Sequence, residues 1–208
     1  MDVVATPDEF PSDAPPPAGP SSLTGRLIIS APGAYDDENF RRTVVYLLEH
    51  GTNGAIGVIL NRPTETVVED AFPGWGDHCS GPAVLFAGGP VQDGMIIALG
   101  RLRPRGAPDR GWQPVVDGSG SRVGTVDLRL PSWDLAPHLD DVRVFSGYAG
   151  WSAGQLEHEM RMDGWHVAHA DPSDIFHRVP SQIWADVLRR QGGGLAVLAH
   201  YPADVLAN

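Results

Sequence analysis

Thr43-Val44-Val45-Tyr46-Leu47-Leu48-Glu49 and Ala55-Ile56-Gly57-Val58-Ile59-Leu60, joined by Gly51-Thr52-Asn53-Gly54, decide the fold. Both runs are short and rich in β-branched and aliphatic residues, and the link between them tolerates positive φ, which spells a β-hairpin with a longer turn. Their apolar character is nearly continuous rather than alternating. Both faces of the sheet must therefore be covered, by helices or by a second sheet.

Outward from this hairpin, Arg26-Leu27-Ile28-Ile29-Ser30 reads as a first strand stopped by Pro32-Gly33. Residues 84–87, 95–99, 123–130, 142–146 and 165–168 are further strand candidates, and 195–198 adds one more. Thr66-x-x-Glu69 is a capping box that starts a short helix ending near Pro73-Gly74. A last helix runs from about 182 to 191. Ile183, Trp184, Val187 and Leu188 share one face of it, Arg189 and Arg190 sit in its last turn, and Gly192 closes it in the left-handed region. Strands outnumber helices and are not regularly separated by them. The fold class is α+β, a single compact domain with coiled mixed β-sheets and a few short helices, and not a doubly wound nucleotide-binding fold.

At 208 residues and 42% hydrophobic, the chain buries one ordinary core, assigned to residues 23–208. Residues 1–22 hold six prolines and four acidic residues, a composition that cannot offset its ordering entropy, and read as a flexible tail. All 15 basic residues are arginine, which excludes Schiff-base chemistry, a lysine base and the Walker A lysine. The net charge of -11 repels phosphate backbones and anionic membranes, so direct nucleic-acid binding is disfavoured. Arg101, Arg103, Arg105 and Arg110 form the densest basic patch, in a Gly/Pro-rich stretch that reads as a solvated loop. One cysteine, Cys79, excludes an internal disulfide; Met1 to Ser22 shows no basic start and no apolar run of signal-peptide length, so no export is expected, and the longest apolar runs elsewhere are too short to span a bilayer. The expected location is the cytoplasm.

Three ordered blocks go further: Phe40-Arg41-Arg42-Thr43 through Glu49-His50 to Leu60-Asn61-Arg62-Pro63, then Gly88-Gly89-Pro90-Val91, then Gly147-Tyr148-Ala149-Gly150-Trp151-Ser152-Ala153-Gly154-Gln155-Leu156-Glu157. Together they resemble the YqgE/AlgH family of small bacterial proteins over roughly residues 25–190. The resemblance implies a compact α+β fold on coiled mixed sheets and a cytosolic setting, and supplies no reaction. The family is named partly for a proposed regulator of alginate production, which implies a regulatory role by association. Residues 100–122 have no counterpart matched to the family pattern.

The sharpest enzymatic lure is Gly150-Trp151-Ser152-Ala153-Gly154, a literal G-x-S-x-G between a strand and a helix, with Asp174 or Asp186 and then His200 available in hydrolase order. The same residues have a structural explanation. Ser152-x-x-Gln155 is a capping box, Leu156 and Met160 share a helix face, Glu157 and Arg161 pair at i,i+4, and Gly164 ends the helix. The family pattern also tolerates glycine or alanine at the position matching Ser152.

Histidine offers no metal site. His166 and His169 point to opposite faces of a strand, His158 lacks an i+4 histidine, and adjacent residues such as Asp77-His78-Cys79 rarely bind one ion together. Gly118-Ser119-Gly120 and Gly192-Gly193-Gly194 lack the dinucleotide-binding context. No motif calls for a cofactor.

The remaining polar residues of the blocks are Arg42, Thr43, Glu49, His50, Asn61 and Arg62 on the hairpin, and Tyr148, Trp151, Gln155, Glu157 and Glu159 on the third block. If Gly88-Gly89-Pro90 brings the blocks together, they line a groove with an aromatic wall, arginine donors and carboxylates, fit for a small ligand or a protein segment. The alternative is that Arg42, Glu49, Asn61 and Arg62 tie the hairpin ends together and Trp151 is core. The favoured function is a non-catalytic, ligand- or protein-binding regulatory protein. A serine hydrolase using Ser152 is the runner-up and an assembly partner the third; the oligomeric state stays open.

Overall fold

The computed structural model describes residues 22–33, 40–116 and 120–201. Apart from Ser22, the expected tail at 1–22 lies outside them, as do Gly118 and Ser119.

The first hairpin forms as its sequence dictates: β2 (Val44–Gly51) and β3 (Gly54–Ile59) pair antiparallel, from Val45 opposite Ile59 to Gly51 opposite Gly54. A Cβ on Gly54, which has φ 121, would collide with the carbonyl oxygen of Trp151, so conformation and space both require glycine there. The pairing slips once, between Leu47 and Glu49, a bulge that re-aims the side chains beyond it. β1 (Arg26–Ser30) flanks β2, and β10 (Trp165–His169) flanks β1.

On its other side β3 pairs with β9 (Leu139–Ser152), which leads on to β6 (Val91–Leu102), β8 (Val123–Val126) and β7 (Trp112–Pro114). β4 (Pro63–Val67) and β5 (Val84–Ala87) form a side branch, in which β5 runs parallel to β9 with Phe86 opposite Phe145. Among the described residues this is one curled, largely antiparallel but mixed sheet of ten strands, a half-barrel.

Among the described residues, six short helices complete it: α1 (Val68–Ala71), α2 (Ser132–Leu135), α3 (Gln155–Arg161), α4 (Pro172–Ile175), α5 (Ile183–Gln191) and α6 (Gly193–Leu198). The continuous apolar runs of the hairpin are buried on both sides. Val44, Tyr46 and Val58 pack under Ile183, Trp184, Val187 and Leu188 of α5. Val45, Leu47 and Ile59 pack on the opposite face with Trp151, Trp165 and Leu156 of α3. A third cluster, around Trp75, Val142 and Val144, fills the space under β6 and β9.

Four local expectations are corrected. Residues 195–198 are helical in α6, where Leu195 and Leu198, three apart, both reach the core; a four-residue apolar run carries no period that separates helix from strand. Thr66 does not cap a helix, because pairing of Val67 with Val84 holds it extended in β4, and α1 starts at Val68 without a side-chain cap. Glu69 instead accepts the N–H groups of Gly74 and Gly76, both at 2.9 Å, and this lowers its carboxyl pKa. Gly192 has positive φ but an extended ψ of -170°, since the chain turns straight into α6. β8 stops at Val126 because the Asp127 carboxylate takes the Arg129 N–H at 3.0 Å and folds the chain into a turn.

Candidate functional site

At the entrance to β2, Asn61 stitches the hairpin ends together. Its amide nitrogen donates to the Arg42 carbonyl at 2.7 Å, and its oxygen accepts from the Val44 N–H at 3.2 Å. Arg62 donates to the Arg41 carbonyl at 2.7 Å and to the Thr43 hydroxyl at 2.9 Å. The Thr43 N–H meets the Ser30 hydroxyl at 2.7 Å. Arg42, at φ 51, stacks its guanidinium 4.1 Å above the Trp184 ring and donates to the Tyr201 carbonyl at 2.7 Å. These four residues are thus engaged in holding backbone.

Gly88 and Gly89 lie against β9, where a Cβ on either would collide with the backbone of Gly147 or Tyr148. The Gly88 N–H donates to the Ser146 carbonyl and its own carbonyl accepts from Ile59, both at 2.8 Å, so this turn wedges between β3 and β9. Exposed Pro90 leads into β6.

The third block forms a polar chain beneath an aromatic cluster. Glu159 Oε2 accepts from the indole N–H of Trp151 at 3.0 Å and of Trp165 at 2.7 Å, while its Oε1 accepts from the Gln155 amide at 3.0 Å. The two indoles meet edge to face at 5.9 Å, and Phe40 stands edge-on to Trp165 at 5.6 Å. Gln155 Oε1 in turn accepts the Ser152 N–H at 3.0 Å and its hydroxyl at 3.1 Å. Only the glutamine half of the expected capping box is present. Gly154, at φ 74, is the N-cap, because the strand pairing of Ser152 with Gly54 extends β9 to that residue. Glu157 faces His50 Nε2 at 3.2 Å, with no ion pair to Arg161 among the described residues, and the geometry falls short of a hydrogen bond. The Leu23 N–H occupies His50 Nδ1 at 3.2 Å, which leaves the ring proton on Nε2.

Ser152 has no histidine hydrogen bond among the described residues, and its hydroxyl proton rests on an amide oxygen that cannot act as a base. The carboxylates once available to a triad are occupied elsewhere: Asp174 binds Arg190 and caps α4 together with Asp171, and Asp186 pairs with His177 at 3.2 Å and Arg189 at 2.6 Å.

Glu49, Tyr148 and Trp151 do converge. Together with Ile56 and Val91 they border a cavity of about 430 Å³. A neighbouring cavity of about 550 Å³ shares Glu49, Ile56 and Tyr148 and continues past Met95, Ile97 and Val115. The two form one groove, centred where strand register breaks on both sides of β9: the bulge at Leu47/Glu49, and the excursion of β6 between Val91 and Ile96. Glu49 has neither a hydrogen bond nor a cationic partner among the described residues, whereas Trp151 is 6% exposed and contributes an edge. Arg42, Thr43, Asn61 and Arg62 do not border the groove. The arginine donors expected there are absent, because a strand separates the two ends of the hairpin. Sequence reasoning passed over Ile56, Gln92 and Met95; the signal was their position flanking Glu49 and the Gly88–Val91 turn.

The arginine-rich segment is ordered by carboxylates. Arg101, which belongs to β6 and not to a loop, pairs with Asp141, and Asp140 lies 3.8 Å from Arg103 and 3.5 Å from Arg122. Arg110 reaches Asp134 at 3.3 Å. Among the described residues no group of three or more His, Cys, Asp or Glu gathers for a metal ion, and no helix is long and apolar enough to cross a membrane.

A curled mixed sheet with short helices on both faces and a ligand-sized groove across its central strand defines the class: a small α+β half-barrel protein. The chain belongs to the AlgH-like family, whose model (DUF179) matches residues 27–196 and so spans the arginine-rich segment. It is similar to a UPF0301 protein of Streptomyces coelicolor, 44% identical over 193 residues, covering 90% of this chain and 96% of that one. A UPF0301 protein of Mycobacterium avium is 39% identical over 206 residues, 97% of this chain and 99% of the other. Among solved structures, protein DIP2367 of Corynebacterium diphtheriae matches with a TM-score of 0.78 at 27% identity, over 86% of this chain and 92% of that one. The solution structure of the AlgH protein of Pseudomonas aeruginosa matches with a TM-score of 0.62 at 26% identity, over 89% and 97%.

Proposed function

We propose that this chain is a non-catalytic binding protein of the cytoplasm with a regulatory role, and that its ligand occupies the groove of Glu49, Ile56 and Tyr148. The observation that carries the reading is Glu49 itself: a carboxylate without a cationic partner among the described residues, set beside an aromatic ring and aliphatic walls in a groove whose two parts measure about 430 and 550 Å³. Cavities of this size suit small molecules or a few peptide side chains. The chemistry selects a ligand with an apolar or aromatic body and one cationic group, because an exposed carboxylate without a cationic partner among the described residues, next to a π-face, favours a cation. A short peptide presenting arginine or lysine beside an apolar residue meets the same description. The single cysteine and the relatives' bacterial origin support an intracellular setting.

The test is a thermal-shift screen of the full chain against amines, amino acids and short basic peptides, repeated on Glu49→Gln and Tyr148→Ala. Binding reads as a concentration-dependent rise in Tm that both variants lose. Hits that neither variant weakens place the ligand elsewhere and reject the groove.

A further inference from the structure

A second cavity, of about 510 Å³, shares no lining residue with the groove. It opens between the start of β1, the side chain of Tyr46, the start of β8 and the connection from β10 into α4. Its apolar wall is Val116, Val123, Ala170 and Ile175.

Charge and a tyrosine hydroxyl free to donate distinguish it. In a chain of net charge -11, its lining among the described residues holds Arg26, Arg122 and His169 and no carboxylate. Arg122 is partly committed, donating to the Leu102 carbonyl at 2.9 Å and lying 3.5 Å from Asp140. Arg26 has no carboxylate within ion-pair distance among the described residues; its Nη1 donates to His169 Nδ1 at 2.6 Å. Tyr46 is 2% exposed as a residue and lines the cavity, and its hydroxyl has no hydrogen-bond partner among the described residues. Burial pushes the Tyr46 phenol up to about 12, so it remains a neutral donor at working pH.

We propose that this cavity is a second ligand site, for a small organic oxyanion (a carboxylate or a phosphate ester) whose head meets Arg26 and accepts the Tyr46 hydroxyl while its apolar body lies against Val123 and Ile175. Arginine with a hydroxyl donor is suited to such a head, and the cavity volume fits a body of one ring or a short chain.

Isothermal titration of the full chain with phenyl phosphate, benzoate and inorganic phosphate tests it, alongside Tyr46→Phe and Arg26→Gln. Saturable binding of phenyl phosphate or benzoate is expected, with the dissociation constant raised about tenfold by each substitution and unchanged by Glu49→Gln. The tighter of the two aromatic anions identifies the head group. Tyr46→Phe keeps the ring and removes only the hydroxyl. If it fails to fold, Arg26→Gln, at the partly exposed strand end, decides alone. Absence of saturable binding by both aromatic anions into the millimolar range overturns the proposal, as does binding that neither substitution weakens. An inorganic phosphate signal equal to theirs and unaffected by the variants marks non-specific charge and also overturns it.

Discussion

The hydroxyl of Ser152 donates to the side-chain oxygen of Gln155 at 3.1 Å, and the same oxygen holds the Ser152 N–H at 3.0 Å. One glutamine thus fixes the turn that the G-x-S-x-G pattern offers to a nucleophile. Ser152→Ala leaves the stronger backbone contact in place and is expected to cost under about 1 kcal/mol, while Gln155→Ala, which frees both donors, costs more. Denaturant titration of the two variants gives the order. A fluorophosphonate probe is expected to leave Ser152 unlabelled in the folded protein; covalent labelling there would restore the hydrolase reading.

Glu159 supports two indoles at once. Trp151 and Trp165 are 6% and 3% exposed, and both donate to its Oε2. Glu159→Ala strands two nearly buried donors and is expected to destabilise by about 2–4 kcal/mol. Glu159→Gln keeps one acceptor oxygen for the indoles but turns an amide N–H₂ toward Gln155, so its cost should be intermediate. A ranking with Gln at or beyond Ala in equilibrium unfolding contradicts the hydrogen-bond assignment.

The wedge between β3 and β9 needs glycine. Gly89→Ala places a methyl group into the Tyr148 backbone at φ 154, and no flexible side chain is there to yield. The expected loss is about 3 kcal/mol or more, a fall in Tm on the order of 10 °C. Gly81→Ala, where no atom lies within 4 Å of the new methyl, serves as the control and should melt within about 2 °C of the parent chain.

Burial pushes the Cys79 thiol up to about 11 from an ordinary 9, outweighing the opposing effect of the nearby Arg143 guanidinium. The folded value lies above the unfolded one, so the thiol's contribution is fully present below pH 9 and is lost as pH rises through 11. Melting of the parent chain should therefore fall more steeply between pH 9 and 11 than that of Cys79→Ala, by a margin on the order of 1–2 kcal/mol after allowing for partial exposure. Parallel curves would show that the thiol does not titrate in that window.

Much of the sheet was legible because its signals are local. The apolar runs of β2 and β3 and their glycine-bounded turn specify a hairpin, and the spacing of Ile183, Trp184, Val187 and Leu188 specifies the buried face of α5. What failed depended on neighbours. Thr66 has the spacing of a cap but pairs as a strand, and residues 195–198 have strand composition but pack as a helix because the preceding helix delivers them to the core. The groove was half legible. Glu49, Tyr148 and Trp151 meet there, whereas Arg42 and Arg62, grouped with them as polar residues of the same ordered blocks, stay at the other end of the hairpin. Arg42 precedes β2 and Glu49 lies near its far end, with the strand from Val44 to Glu49 alone rising roughly 17 Å, so strand geometry already separated them. The bulge at Leu47/Glu49, which aims the carboxylate, leaves no trace in composition.

The central claim is that the groove of Glu49, Ile56 and Tyr148 is the binding surface and the Arg42–Asn61–Arg62 end is scaffold. The most direct measurement is an amide NMR titration of the full chain with phenethylammonium, an aromatic ring carrying one cation. Shifts should saturate and concentrate at Glu49, Ile56, Met95 and Tyr148, and Glu49→Gln should weaken the titration about tenfold. Shifts centred instead on Arg42, Asn61 and Arg62, or no saturable response into the millimolar range, would contradict it.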